Sequence, residues 1–225
     1  MTVRKATRLP AEELRQYTIE SAVPPAGPTA ENVAAEVLDW RAVFGNDHPV
    51  EVEVGSGKGL FLVTAGQENP QTNYLGIEIV RKYQLYTATR LAKRQLRNVC
   101  VACADARLFL RDRITPRSVQ AVHVYFPDPW WKKRHHKRRV FTEEFARQCV
   151  RVLRPAGRLL VATDVPDYAT LVRAVVAAVP QLRETKPPGE HAPVHDMDYL
   201  TNFERKFRKQ GKEIHRMAFE LIDKN

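Results

Sequence analysis

From residue 50 onward the chain alternates between two kinds of apolar pattern. Short, continuous apolar runs at 50–54, 73–78, 98–103, 119–125 and 157–163 read as strands. Between them, helical spacing marks segments from about 58, over 80–96, from Ala106, over 142–153 and over 166–179. Five such alternations predict a doubly wound α/β domain, with a parallel sheet covered by helices on both faces. Ahead of the first strand, Val33, Val37, Leu38, Trp40 and Phe44 form a stripe that predicts a helix over 31–44, closed by Gly45. Beyond residue 181 the pattern offers a strand near Leu182, a Pro-Pro-Gly turn, a helix around 197–209 and a last strand, HRMAFELI, which suit a hairpin-like addition to the sheet. Residues 1–28 are polar and basic and end in SAVPPAGP, so they are expected to be a flexible N-terminal arm before a single domain over 29–225.

A length of 225 residues with 44% hydrophobic content is enough for one real core and too little for two. The formal charge of +10 favours a polyanionic partner over an acidic small molecule. No apolar run reaches the roughly 18 residues that a bilayer span needs, and no signal-peptide core opens the chain, so a cytoplasmic protein without membrane attachment is expected. Three cysteines argue against a disulfide framework; Cys100 and Cys103 lie on a strand pattern, VCVAC, as buried thiols. His191 and His195 have the spacing of half a zinc site but lack partnering cysteines, so no metal is expected. No apolar surface stripe decides between monomer and homodimer, and no obligatory protein partner is evident.

Candidate chemistry begins where the first strand of the alternation ends. In VEVEVGSGKG, Gly55, Gly57 and Gly59 follow the strand directly, where a tight turn brings backbone close to a ligand. Glycine comes at the fifth position and Leu60 at the sixth, unlike the G-x-G-x-x-G of a dinucleotide site, which argues against a pyrophosphate. Glu51 and Glu53 are anomalous in a central strand, and Glu53, nearest the loop, suits a cationic ligand. Glu78 ends the next strand, where an acid hydrogen-bonds ribose hydroxyls in nucleotide-binding folds. Asp105 stands before a helix and fits both an N-cap and a ligand contact. Asp128 follows the strand expected across the switch point from the glycine loop.

The stretch from Phe126 to Arg139, FPDPWWKKRHHKRR, joins that acid to a basic run. Phe126 and Asp128 each precede proline, which favours extended backbone and a stiffly presented carboxylate. Of the eight residues from Lys132 to Arg139, six are Lys or Arg, and His135 and His136 can also donate to phosphate. Trp130 suits either base stacking or packing, and Trp131 is the better candidate for exposure. Basic residues of the C-terminal region, among them Arg205, Lys206 and Arg208, extend this patch or simply form a solvated helix face.

These residues resemble the class I S-adenosylmethionine-dependent tRNA (guanine-N7)-methyltransferases of the bacterial TrmB type. The likeness runs from about Trp40 to the C-terminus and is carried by VEVGSGKG, GIE, ADA, the FPDPWWKKRHHKRR run, LRPAGRLLVATD with Tyr168, and TNFERKF. It implies a Rossmann-like fold with a seven-stranded, mainly parallel sheet and an antiparallel C-terminal strand. It also implies S-adenosyl-L-methionine as cofactor, S-adenosyl-L-homocysteine as product, and a guanosine of tRNA, position 46 in the variable loop, as substrate. By the same resemblance Glu53, Gly55, Gly57, Gly59, Glu78, Asp105 and Asp128 surround the cofactor. Lys132, Asp164, Thr201, Asn202, Phe203 and Glu204 surround the target guanosine, and Arg134, His135, His136, Lys137, Arg138 and Arg139 contact RNA.

Guanine N7 carries a free lone pair, so its methylation needs alignment and charge stabilisation rather than a strong base. Asp128 is the candidate catalytic carboxylate, either on the guanine edge or on the cofactor's amino group. Two other readings fit parts of the pattern: a nicotinamide-dependent oxidoreductase, from the glycine loop and Glu78, and a noncatalytic RNA-binding protein, from the charge alone.

Overall fold

The computed structural model describes residues 9–20, 36–130, 132–188 and 201–222, with backbone alone at 133, 136, 137, 202, 203 and 205. In chain order the elements are α1 (Ala11–Leu14), a 3-10 turn (Arg15–Tyr17), β1 (Thr18–Ile19), α2 (Trp40–Phe44), β2 (Val50–Val54), α3 (Leu60–Glu68) and β3 (Asn73–Glu78). They continue with α4 (Arg81–Arg94), β4 (Val99–Cys103), α5 (Ala106–Arg113), β5 (Val119–Tyr125), a 3-10 helix (Lys133–Arg138), α6 (Glu143–Val152) and β6 (Leu153–Thr163). The last are α7 (Pro166–Ala177), β7 (Leu182–Thr185), α8 (Asn202–Lys209) and β8 (His215–Leu221).

One sheet holds all eight strands, in the order β1-β4-β3-β2-β5-β6-β8-β7. Pairing is parallel from β1 through β6, while β8 runs antiparallel to both β6 and β7. Seven strands were expected; the eighth is β1, which adds two residues to the outer edge of β4, with Thr18 opposite Val101. The cause is local. Leu14 and Tyr17 are buried and pack in one cluster with Leu91 and Val101, so residues 9–20 belong to the folded body rather than to a free arm. Two apolar anchors among charged residues leave no periodicity to read.

Alternate faces of the strands feed two cores. Val52, Val54, Leu75, Val122 and Val161 meet Phe109 of α5, Phe145 of α6 and Val172 of α7 on one face. Phe61 and Leu62 of α3, Leu91 of α4, Tyr74 and Val101 form the other. At roughly 25 cal/mol per Å² of apolar area, these two faces supply the main drive to fold. The helix expected over 31–44 is shorter than its apolar stripe: Asp39 accepts the Arg41 amide at 2.9 Å and starts α2 at Trp40, while Leu38 is tied instead to the Arg113 carbonyl at 2.8 Å. Residues 31–35 of that stripe lie outside the described residues. Gly45 closes α2 in the left-handed conformation, φ 72°, as its position predicts. No helix among the described residues is long and apolar enough to cross a membrane.

Candidate active site

Strand order reverses between β2 and β5: from β2 the order steps outward through β3 and β4, then returns to β5 on the opposite side. Such a switch point opens a crevice at the carboxyl ends of the two strands. Val54 pairs with Val124, so Gly55 and Tyr125, the last residue of β5, come side by side at the carboxyl end of the sheet. The glycine loop and the loop carrying Asp128 therefore share one rim.

The glycine loop is fixed by its own amides. Gly55, Gly57 and Gly59 all have positive φ, and a Cβ on Gly59 would lie 2.3 Å from a methyl carbon of Thr87. The Gly57 amide donates to Glu78 Oε2 at 2.8 Å, and the Val80 amide donates to Glu78 Oε1 at 2.8 Å. Glu78 thus locks the loop after β2 to the end of β3. Thr87 and Arg90 of α4 donate to the carbonyls of Gly57 and Lys58.

Beneath this loop is a cavity of about 280 Å³, lined by Glu53, Gly55, Ser56, Gly57, Tyr125 and Thr201 among others. Glu53 is 3% exposed and, among the described residues, its Oε2 has no hydrogen-bond partner; the Ser56 hydroxyl is likewise buried and unpartnered there. Burial, with the charge of Glu78 adding to it, pushes the Glu53 carboxyl up to about 8. A buried acid of this kind keeps its proton until a cation arrives to replace it. Cavity size, glycine approach and orphaned acceptors fit a nucleoside-sized ligand with a cationic part.

Sequence reasoning noted Glu51 as anomalous but missed what it serves. Gln120 Nε2 donates to Glu51 Oε1 at 2.9 Å, His123 Nε2 is 2.8 Å from Glu51 Oε2, and His123 Nδ1 is 2.7 Å from the Tyr125 hydroxyl. Burial would raise the Glu51 carboxyl, but the hydrogen bonds to His123 and Gln120, with the Arg158 charge nearby, outweigh it and hold the group below its ordinary value. The legible signal was period: Glu51 and Glu53 on β2, and His123 and Tyr125 on β5, alternate onto the same face.

Asp105 caps α5, accepting from the Arg107 amide at 2.9 Å and pairing with the Arg107 guanidinium at 2.6 Å. Burial opposes ionisation there, yet Arg107 holds the carboxyl below its usual range. The N-cap expectation is met; Asp105 does not line the cavity.

The loop after β5 departs from expectation. Phe126 was expected to be extended before its proline, but it adopts φ 51°. Its amide donates to the Ala162 carbonyl at 2.7 Å and its ring packs on Phe207 of α8, with centroids 5.6 Å apart. Those tertiary bonds override a preference that local sterics alone would impose. Trp130 is also left-handed, φ 44°, and Asp128 between them is exposed. Asp128 and Arg139 both act on Tyr168, whose phenol is pushed up to about 12, chiefly by burial.

Within the basic run, Lys132, Arg134 and Arg138 are exposed. Arg139, expected among the RNA contacts, turns inward instead: Nε donates to the Pro129 carbonyl at 2.8 Å and Nη2 to that of Trp130 at 3.4 Å. His135 meets the Trp130 ring edge-on at 5.5 Å, and the Arg138 guanidinium lies 5.0 Å above it. Trp130 is thereby clasped within its own loop, neither in the core nor bare. Trp131, the side chains of His136 and Lys137, and His191 and His195 lie outside the described residues.

Residues 201–204 open α8, whose start reads as T-x-x-E. Thr201 Oγ1 accepts the Glu204 amide at 3.1 Å. Glu204 is buried and paired with Arg208 at 2.8 Å and with Arg216 of β8. Asp164 takes Lys212 Nζ at 2.6 Å, and that ammonium also lies 4.4 Å over the Phe207 ring. Of the residues expected around the guanosine, Thr201 lines the cavity, Asp164 and Glu204 anchor α8 and its following turn, and the side chains of Asn202 and Phe203 are outside the described residues. Lys206, which sequence reasoning placed only on a solvated face or extended patch, lines the cavity.

Comparison with known proteins bears on this arrangement. A family model described as "Putative methyltransferase" matches residues 47–217. A tRNA (guanine-N(7)-)-methyltransferase of Rhodopirellula baltica is 41% identical over 96% of this chain and 82% of its own length. The enzyme of the same name from Hydrogenovibrio crunogenus is 34% identical over 93% of this chain and 86% of its own. Among solved structures, the aminoglycoside resistance methyltransferase NpmB1 superposes with TM-score 0.55 at 17% identity, covering 81% of this chain and 93% of that one, a likeness of fold alone. The nicotinamide oxidoreductase reading falls with these matches, which take in the glycine loop, both strands of the switch point and the basic run. The chain belongs to the tRNA (guanine-N7)-methyltransferase family.

Proposed function

We propose that the protein transfers a methyl group from S-adenosyl-L-methionine to N7 of a guanosine in tRNA, at position 46 of the variable loop. The observation that carries this reading is the shared rim of the switch point: an acid-floored nucleoside cavity behind the glycine loop, and beside it a proline-framed carboxylate that runs straight into exposed cations. Bound in the cavity, the cofactor supplies an electrophilic methyl on a positively charged sulfur. Glu53 compensates positive charge, the glycine amides and Glu78 shape the nucleoside end, and Thr201 and Lys206 complete the lining. Asp128 accepts from the guanine edge and stabilises the charge that the ring gains as N7 bonds the methyl carbon and the carbon–sulfur bond breaks. No proton has to leave N7, so alignment and electrostatics are the whole task of the site. Asp164, Asn202, Phe203 and Glu204 frame the base. Lys132 reaches toward the target nucleoside, while Arg134, His135, His136, Lys137 and Arg138 hold the surrounding phosphates, and they act in the cytoplasm, where tRNA matures.

Incubation with methyl-labelled S-adenosylmethionine and unmodified tRNA, followed by mapping of the labelled base, tests the reading. Label at N7 of guanosine 46 is expected; label on another base, or none, overturns it. Family membership stands whichever position is found.

A further inference from the structure

The Glu51–His123–Tyr125 chain lies on the same sheet face as Glu53 and ends at the cavity, since Tyr125 is one of the lining residues. Its hydrogens can be assigned by elimination. Glu51 is a carboxylate and only accepts, so the N–H of a neutral His123 ring sits on Nε2 and points at it. Nδ1 is then a bare acceptor, and the single proton in the 2.7 Å contact belongs to the Tyr125 phenol. Tyr125 keeps that proton, because burial and then the Glu53 charge raise its phenol well above the ordinary value. With its hydrogen turned toward His123, the hydroxyl offers only oxygen lone pairs to the cavity. His123 is itself buried, 4% exposed, with the Phe61 ring packed 4.7 Å away, so nothing from solvent competes for its nitrogens.

We infer that Tyr125 is a ligand-contacting residue, oriented as a hydrogen-bond acceptor by His123 and Glu51, and that with Glu53 it recognises an ammonium group on the cavity's ligand. Glu53 Oε2 finds no hydrogen-bond partner among the described residues, and Tyr125 lines the same cavity. A ligand bearing N–H on a cationic nitrogen can donate to both, whereas a neutral tail leaves the Glu53 oxygen orphaned. This deepens the proposed function and rests on it: the group meant is the amino-acid ammonium of the methyl donor and its thioether product. Glu51 and His123 touch no ligand. They are positioning residues.

The test uses two nucleosides that share adenosine and a thioether but differ at the tail. S-adenosylhomocysteine has the ammonium and 5′-methylthioadenosine lacks it. By calorimetry, Tyr125→Phe should weaken S-adenosylhomocysteine about tenfold, the factor that about 1.4 kcal/mol makes, and leave 5′-methylthioadenosine unchanged. Glu51→Gln, which releases the ring tautomer while keeping Tyr125, should show a smaller loss with the same selectivity. Nitrogen-15 spectra should find the His123 proton on Nε2 in the wild type. Equal losses for both ligands, or no loss for either, overturn the contact; unchanged S-adenosylhomocysteine binding in Glu51→Gln, or a proton on Nδ1, overturns the relay. If the wild type binds neither nucleoside, the cofactor reading itself has failed, an outcome distinct from a wild type that binds and a Tyr125→Phe variant that binds equally well.

Discussion

Arg139 donates its Nε hydrogen to the carbonyl of Pro129 at 2.8 Å, so the last cation of the basic run is bonded to the residue that follows Asp128. Within that stretch the Trp130 ring meets both His135 and Arg138. Among the described side chains, cations that look interchangeable in the sequence are therefore of two kinds: exposed ones such as Lys132 and Arg134, and Arg139, which is bonded to the carbonyls of its own loop.

The two kinds should separate in kinetics. Arg134→Ala removes an exposed cation, and each phosphate contact on single-stranded nucleic acid contributes about 0.7 to the log-log salt slope. Its slope should flatten by about that amount while turnover at saturating tRNA is kept. Arg139→Lys cannot span both carbonyls, and misplacement of a reacting group by about an ångström costs roughly 100-fold. It should lower turnover by one to two orders of magnitude and leave the salt slope alone. If both variants change only the slope, the loop-holding role is wrong.

Asp128→Asn keeps shape and removes charge. Loss of one group that stabilises transition-state charge costs on the order of 100-fold or more. Single-turnover methyl transfer should fall by that factor with S-adenosylhomocysteine affinity unchanged. Weakened cofactor binding at preserved chemistry would instead move Asp128 from the guanine edge to the cofactor.

How much of this could be read from the sequence divides along a physical line. The order of strands and helices was legible because apolar runs and helical stripes repeat over whole elements, and residues 50–54, 73–78 and 119–125 are strands as the pattern predicts. Glu53 and the three glycines were legible because each breaks a local rule. What stayed hidden depends on contacts between distant segments: β1 forms because Leu14 and Tyr17 find α4 and β4, Phe126 becomes left-handed because Ala162 and Phe207 hold it, and Arg139 turns inward toward carbonyls that composition cannot reveal. Tyr125 was hidden for a different reason. An aromatic at the end of a strand reads as core until its hydroxyl's partner, His123, is known.

Glu204 illustrates a residue whose stability role can be separated from a substrate role. It is buried, and its carboxylate sits between Arg208 and Arg216, joining α8 to β8. Removing one partner of a buried ion pair costs about 3 kcal/mol, because the other charges stay desolvated. Glu204→Gln should lower the denaturant midpoint accordingly, with an unchanged slope of free energy against denaturant. A shift under about 0.5 kcal/mol, the range of ordinary surface substitutions, would mean that α8 is held by its apolar contacts with Phe126 rather than by these charges.

Glu53 should report cation binding through its proton. Its carboxyl is raised from the ordinary 4.5 to about 8, first by burial and then by Glu78. A folded pKa above the unfolded one means that the native state binds the proton more tightly. This contribution to stability is full below pH 4.5, declines as pH rises, and is gone above about 8. Each tenfold gain in proton affinity on folding is worth about 1.4 kcal/mol, so Glu53→Gln should gain on the wild type by a few kcal/mol between those limits and keep a constant lead above them. At pH 7 the empty cavity holds Glu53 protonated. A ligand with a cationic tail favours the carboxylate, and its binding should release about one proton near neutrality and none at about pH 9. Calorimetry in buffers of differing ionisation enthalpy measures that number directly. Release at pH 7 that survives in Glu53→Gln would place the proton on another group and remove Glu53 as the partner of the ligand's charge.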